Sequence, residues 1–304
     1  MTLLIRRSNL LVPATDAAAL HEAWRSNADA ITLDLEDGVA PARKAEARAL
    51  VRPALAQAKP GRTEVFVRVN KPLLHADLAA SVWGGLHGIM LAQAESAQDV
   101  LQADAALGEL ERERGISIGS IQIIVLIESP RAVWDIRSII SASARVTQAG
   151  LDESDLAASM RINPLPEYDP FIYARGRLVV EATAAGVLPV GMAYPLGLQA
   201  SLMPAEELNR MANNARNSGM KGVVCPHASW VEPVNRAFTP TDELVAYNRR
   251  VRELFAAGVA AGTAAVPLDG RMIDVPVDEW AKVVIATAEA CAVRDEEKRR
   301  AMGA

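Results

Sequence analysis

The stretch Ile121–Glu128, IQIIVLIE, constrains this chain more than any other. It is apolar and largely β-branched, then stops on a carboxylate followed by Ser129-Pro130-Arg131. A short apolar run between breakers reads as a strand buried on both faces, as in a parallel sheet covered by helices. An unpaired Glu128 deep in such a core would be strongly disfavoured. It therefore belongs at the strand's carboxyl end, facing a polar mouth, and in a parallel barrel that mouth is the active-site face.

Similar runs recur along the chain: Asn9–Pro13, Ala30–Leu35, Glu64–Asn70, Leu86–Ala92, Arg145–Leu151, Val187–Val190 and Gly222–Cys225. Helical patterns over Asp16–Ser26, Pro41–Ala58, Ser96–Arg114, Arg131–Ser141, Tyr173–Ala185 and Ala205–Ser218 lie between them. Strand alternating with helix at these spacings predicts βαβ units, and eight strands predict closure into a (β/α)8 barrel. A doubly wound open sheet is the competing architecture, but no glycine fingerprint follows the first strand to hold a dinucleotide. With 304 residues the chain has room for one barrel of about 250 residues and a tail. We read residues 1–238 as the barrel and 239–304 as a helical extension that caps it or contacts another subunit. Within the extension, helices are expected over Leu244–Ala257 and Val277–Arg294, and the closing RDEEKRRAMGA reads as a solvated charge run.

Composition narrows the function. The net charge of −5, with no basic stripe carrying interleaved aromatics, argues against nucleic acid as a partner. No 18-residue apolar segment or signal-peptide pattern is present, so neither a membrane partner nor export is expected. The two cysteines, Cys225 and Cys291, offer no disulfide framework or CxxC metal site, which suits a reducing cytoplasm. Cys225 reads as a small buried hydrophobe.

The polar residues at the carboxyl ends of the strands are Glu36 and Asp37, Arg68 and Asn70, Glu128, and Asp152, Glu153 and Asp155. Closure of a barrel would gather them at one mouth. Several carboxylates with few histidines is the pattern of a hard cation such as Mg²⁺, which takes one or two carboxylates and completes its octahedron with water or substrate oxygen. Zinc would call for His or Cys. Each carboxylate also has a structural reading as a helix cap or loop charge, and Glu36 and Asp37 could serve only to neutralise Arg68. Ser129 is a better cap than Glu128, which leaves the glutamate free for other work.

These residues lie in segments that resemble the citrate lyase β-subunit-like proteins of the HpcH/HpaI aldolase superfamily, which includes malyl-CoA and citramalyl-CoA lyases. The matching segments are LLVP, ITLDLEDGVAPARKAEAR, VFVRVN, GIMLAQAES, IIVLIESPRAV, SDLAAS, the Gly222–Asn235 stretch and GRMIDVP, in order over nearly the whole chain. The resemblance implies a (β/α)8 barrel, often a homotrimer, that uses Mg²⁺. It implies that Glu128 and Asp155 ligate the metal and that Glu128 and Arg68 meet the substrate's carboxylate or carbonyl oxygen. Glu36 and Asp37 would orient that arginine and metal-bound water, and Asp274 in the MID motif would act as acid–base residue, in its own or a neighbouring subunit's site. The implied reaction is cleavage of a carbon–carbon bond in a dicarboxylic 3-hydroxyacyl-CoA such as citramalyl-CoA or malyl-CoA, of retro-aldol or Claisen type, through an enolate. The alternatives are an aldolase on free 2-oxo acids, an acyl-CoA thioesterase, or a non-catalytic citrate lyase-like subunit. The chain departs from the family pattern at Ala14-Thr15-Asp16, where glycine and basic residues are common, at Gln93 in place of lysine, and at Asp152 in place of glycine. After the seventh strand it reads Gly191-Met192-Ala193-Tyr194-Pro195, where an aspartate-rich loop is frequent. These positions bear on the acyl or CoA portion of the substrate.

Overall fold

The computed structural model describes residues 3–163, 168–193 and 199–303. Eight strands form one parallel sheet: β1 Ser8–Pro13, β2 Ala30–Asp34, β3 Glu64–Val69, β4 Gly88–Leu91, β5 Gln122–Ile127, β6 Val146–Leu151, β7 Leu188–Val190 and β8 Val223–Cys225. Their spatial order is β7-β6-β5-β4-β3-β2-β1-β8. A parallel bridge between Val190 and Gly222 closes the cylinder, aided by the Lys221 N–H on the Pro189 carbonyl at 2.8 Å. The expected (β/α)8 barrel is the fold, and each strand lies within one or two residues of the run that announced it.

Side chains along these strands alternate between two cores. Ile31, Leu33, Val65, Val67, Ile123, Val125 and Ile127 point outward into the main core under the helices. The opposite parity fills the barrel in layers. Ala30, Phe66, Met90, Ile124 and Leu126 form the middle layer. Beneath them, at the amino-terminal base, the buried Arg6 guanidinium stacks on Phe66 at 4.8 Å and donates to Glu64 and Gln122 at 3.0 and 2.6 Å. Asp34, Arg68 and Glu128 continue the same parity at the carboxyl ends, so a layered interior delivers them to the mouth.

Closure requires glycine at 222. A Cβ there would meet the Arg6 carbonyl oxygen at 2.1 Å and that of Arg7 at 2.9 Å. Both obstacles are backbone, so Gly222→Ala must push β1 and β8 apart. We expect it to destabilise the fold by roughly 1–3 kcal/mol, as overpacking does, read as a lower urea midpoint with an unchanged slope.

Ser96 and Asp99 form the capping box of the helix Ala97–Glu113, and Ser129 caps Pro130–Trp134. The single helix expected over Arg131–Ser141 is instead two, Pro130–Trp134 and Ile136–Ile140, joined at Asp135, whose ψ of 15° leaves the α-helical range. Helices Leu74–Ser81, Glu153–Met160 and Val231–Phe238 were not anticipated. Each is eight residues long, too short for a full apolar period to stand out.

The C-terminal segment consists of the helix Asp242–Ala260, an antiparallel hairpin of β9 Val266–Leu268 and β10 Arg271–Ile273, and the helix Val275–Ala301. Val251, Leu268, Ile273 and Ala281 give it a small core of its own. Its closing charge run is solvated only in part: Glu297, Arg299 and Arg300 are exposed, as expected, but Arg294, Asp295 and Lys298 are not free in solvent. Lys298 is 2% exposed, and its Nζ donates to Asp29 Oδ1 at 2.7 Å and to the Asn27 carbonyl at 3.1 Å. Asp295 pairs with Arg7, and Arg294 donates to the Asp29 and Arg62 carbonyls at 2.9 and 3.1 Å. The barrel's base presents a buried carboxylate and backbone carbonyls that require donors, and the charged helix end supplies them. No helix among the described residues is long and apolar enough to cross a membrane.

Candidate active site

The mouth is organised by Asp34, the last residue of β2. Both its oxygens receive Arg68 from the neighbouring strand, Nε at 2.7 Å and the second nitrogen at 2.6 Å. They also accept the N–H groups of Glu36 and Gly38, each at 2.8 Å. β2 and β3 are in register at Asp34 and Arg68, so the two side chains meet on the inner face. A Cβ at Gly38 would lie 2.5 Å from Asp34 Oδ2, which is why the turn after this strand carries glycine. Glu36 reaches the remaining side of the guanidinium at 3.3 Å. Asp37 is exposed, and its N–H donates to Glu36 Oε2 at 2.9 Å. Asp34, not singled out from the sequence, is thus the main anchor of the arginine, with Glu36 beside it and Asp37 contributing charge from outside. Burial alone would depress the Arg68 pKa, but Asp34, Glu36 and Asp37 raise it above its ordinary value.

Asn70 and Lys44 fix this rim. Asn70 donates its amide to the Leu35 carbonyl and to Asp77 at 2.8 and 2.7 Å. Lys44 donates to the Leu35 and Glu36 carbonyls, both at 2.7 Å, and to Asn70 Oδ1 at 2.8 Å. Neither is free for a substrate; they hold the ends of β2 and β3 together. Glu153 is likewise committed, to Arg175.

Glu128 follows β5 and is 5% exposed. Its Oε2 accepts the Gln93 N–H at 3.0 Å. Gln93 is held with φ at +54°, a left-handed conformation that a non-glycine residue adopts at a cost and that concentrates at functional sites. Its side-chain amide lies 3.4 Å from Glu36 Oε1, so Gln93 spans the two carboxylates. Asp152 and Asp155 complete the group: with Glu128 they offer oxygens that all lie within 4.8 Å of one another. Asp152 was read from the sequence as one of several strand-end acids; the fold places it in the cluster itself. Glu128, Ser129 and Asp155, with Lys71, Gln93 and Glu95, line a cavity of about 260 Å³.

This cluster is short of counter-charge: Lys71 lines the cavity but pairs with Asp99, and Arg68 offsets the Asp155 charge without outweighing burial and Asp152. Burial, then the charges of Asp152, Asp155 and Glu36, push the Glu128 carboxyl up to about 9 against the opposing Gln93 N–H. Burial and Asp152 raise Asp155 as well, and burial raises Glu36 in spite of Arg68. Crowded carboxyls that resist ionisation and offer three oxygen ligands within reach of one another fit a hard divalent cation. Glu128 and Asp155, the pair expected to share an ion, are close enough to do so.

Asp274 lies elsewhere. Its carboxylate caps the helix Val275–Ala301 through the Val277 N–H at 3.3 Å. Trp280, six residues on, lines a cavity with Arg6, Met220 and Lys221 at the barrel's base, and Asp274 is not among the described residues that line the cavity beside Glu128. Cys225 is fully buried and its thiol is pushed up by burial, which suits a core residue. Asp16 caps the helix Ala17–Arg25 through the Ala18 and Ala19 N–H groups. Of the loop after β7, Gly191, Met192 and Ala193 are described, and Tyr194 and Pro195 lie outside the described residues.

Residues 7–228 match the model of the HpcH/HpaI aldolase/citrate lyase family. The chain belongs to this family. It is 31% identical over 296 residues to citrate lyase subunit beta of Haemophilus influenzae, covering 96% of this chain and 99% of that protein. It is 29% identical to an L-malyl-CoA/beta-methylmalyl-CoA lyase of Cereibacter sphaeroides, over 93% of this chain and 94% of the relative. Among solved structures it is similar to CitE of Mycobacterium tuberculosis in complex with magnesium, acetoacetate and coenzyme A, with a TM-score of 0.73, 25% identity and coverage of 94% and 98%. As a member of this family the protein is a carbon–carbon lyase.

Proposed function

We propose that the chain is a Mg²⁺-dependent lyase that makes or breaks a carbon–carbon bond in a dicarboxylic 3-hydroxyacyl-CoA of the citramalyl-CoA or malyl-CoA type. The observation that carries this reading is a crowded carboxylate cluster, Glu128 with Asp155, beside an arginine fixed by Asp34 and Glu36. Glu128 and Asp155 would hold the cation. When bound there, it supplies Lewis acidity to substrate oxygens and lowers the cost of the enolate that carbon–carbon cleavage leaves behind.

The chain's own groups do the rest. Asp34 takes two of the five Arg68 N–H groups and Glu36 faces the third nitrogen; the second N–H of each terminal nitrogen would meet the substrate's carboxylate or carbonyl oxygen, where a pre-aimed guanidinium stabilises developing charge without reorganising. The Gln93 N–H keeps the Glu128 carboxylate turned toward Asp155. Asp274 would return or remove a proton at the enolate carbon. Because the helix it caps packs along the base of its own barrel through Trp280, Arg294 and Lys298, we assign it to the site of a neighbouring copy in a homotrimer.

A second reading, an aldolase on free 2-oxo acids, draws support from Asp16. An acid caps the first helix at a place where basic residues would welcome the phosphates of CoA. The two readings separate in one assay. Malyl-CoA and citramalyl-CoA are compared with the corresponding free hydroxy acids, with Mg²⁺ and with a chelator. Release of a 2-oxo acid or glyoxylate from the thioesters alone supports the first reading. Release from the free acids at equal kcat/KM supports the second, and thiol release without carbon–carbon cleavage would indicate a thioesterase.

A further inference from the structure

We infer that Asp152 is a third carboxylate holding the divalent cation, alongside Glu128 and Asp155. The inference rests on the family reading of a cation at this mouth and adds a ligand to it. Three observations carry it.

The first is the register of the sheet. β5 and β6 pair Leu126 with Gly150, and the row Gln122, Ile124, Leu126 faces the barrel interior with Gln148 and Gly150 beside it. Two residues further along each strand, on the same parity, stand Glu128 and Asp152. The Asp152 N–H still bonds the Ile127 carbonyl at 3.1 Å, so the pairing extends to this point. Asp152 is thus the inward-facing neighbour of Glu128 on the adjacent strand rather than an acid on a loose loop.

The second is the division of labour between its two oxygens. Oδ1 caps the helix Glu153–Met160, accepting the Ser154 N–H at 3.0 Å and the Asp155 N–H at 3.2 Å. Oδ2 takes part in no hydrogen bond or ion pair among the described residues. Capping requires only a neutral acceptor, and Ser or Asn serves about as well as Asp. A charged residue there places a third negative group within 4.8 Å of two others, which a cap does not explain and a cation does.

The third is that the nearby cations are engaged elsewhere. Arg68 is held by Asp34 and Glu36, Arg175 by Glu153 and Asp169, and Lys71 by Asp99. The carboxylates of Asp152, Glu128 and Asp155, gathered within 4.8 Å, therefore share one unmet demand. A three-carboxylate set with a divalent ion keeps a net negative charge. Such a site holds its ion without help from a bound acid, and the ion stays in place between turnovers.

The test is the affinity for Mg²⁺, and for Mn²⁺ as its paramagnetic substitute, measured by calorimetry on the intact protein without substrate. Asp152→Asn keeps the cap and removes the charge, and Asp152→Ser keeps the cap and shortens the reach. Both are expected to bind the ion at least tenfold more weakly, within the roughly 10–100-fold range typical of groups that support a metal site, with an unchanged melting temperature in chelator. An affinity within twofold of the parent for both variants would overturn the inference and leave Asp152 a cap. Glu128→Gln separates this from the underlying reading. If Glu128→Gln abolishes binding while the Asp152 variants do not weaken it, only the third ligand is lost. If the parent binds no ion, or Glu128→Gln binds it undiminished, the cation site at this mouth falls and this inference with it.

Discussion

Glu128→Gln is expected to abolish Mg²⁺ binding and to lower metal-dependent turnover about 10³-fold or more, the loss of several kcal/mol of transition-state stabilisation that a metal ion supplies. The fold should survive. Glu128 is 5% exposed and surrounded by Asp152, Asp155 and Glu36, which together with burial push its carboxyl up to about 9. Glutamine keeps the shape and the Gln93 contact while relieving the cost of holding an acid un-ionised in the apo protein. In chelator the variant should therefore melt at or above the parent's temperature, and with excess Mg²⁺ the order should reverse, because only the parent is stabilised by a ligand that binds the native state. Calorimetric titration, melting curves with and without metal, and kcat for a cleavable thioester check the three parts. Retained turnover with retained metal binding would remove Glu128 from the site.

The second large effect is expected at the other end of the barrel. Asp29→Ala should destabilise the protein by about 3–5 kcal/mol, the range seen when one partner of a buried ion pair is removed. Asp29 is fully buried and receives two bonds from the Arg7 side chain, at 2.8 and 2.9 Å, and one from Lys298 at 2.7 Å. Truncating it leaves two buried cations short of their main partner. The effect has a pH signature. Burial works to raise the Asp29 pKa, yet the Arg7 and Lys298 contacts outweigh it and hold the carboxyl below its ordinary 3.8. Its contribution is therefore fully present above that value and is lost as pH falls through the folded pKa, because the unfolded chain takes up the proton first. The parent should lose stability steeply below about pH 4, and Asp29→Ala should start lower and fall less steeply. Urea unfolding between pH 3 and 7 measures both. A variant as stable as the parent would show that the helix end is not anchored through Asp29.

The two ends of the barrel also show what could be read from the chain and what could not. The run IQIIVLIE and its seven counterparts announced a parallel barrel because a strand buried on both faces must be apolar at every position, a signal strong enough to survive without knowledge of its neighbours. Glu128 was legible for the same reason: a carboxylate ending such a run has few places to go. The C-terminal charge run misled at Arg294, Asp295 and Lys298, because amphipathic pattern and local charge do not reveal that the barrel's base needs donors for Asp29 and its backbone carbonyls. The eight-residue helices were silent, since two turns carry too little periodicity.

At the site, sequence named the acids and the arginine, and tertiary structure assigned their partners. Asp34 lies inside a strand motif and reads there as one more residue of β2; only the register of β2 on β3 makes it the anchor of Arg68. Gln93 reads as a missing lysine, whereas the fold uses its backbone N–H and a strained φ to aim Glu128. Asp152 joins Glu128 through sheet register, and Asp274 is used as the cap of the last helix. Residue type and local pattern fix what each segment can bury and which chemistry it can offer, because those depend on the side chains alone. Which of those groups meet is decided by strand order, register and barrel closure, long-range pairings that no short window of the chain contains.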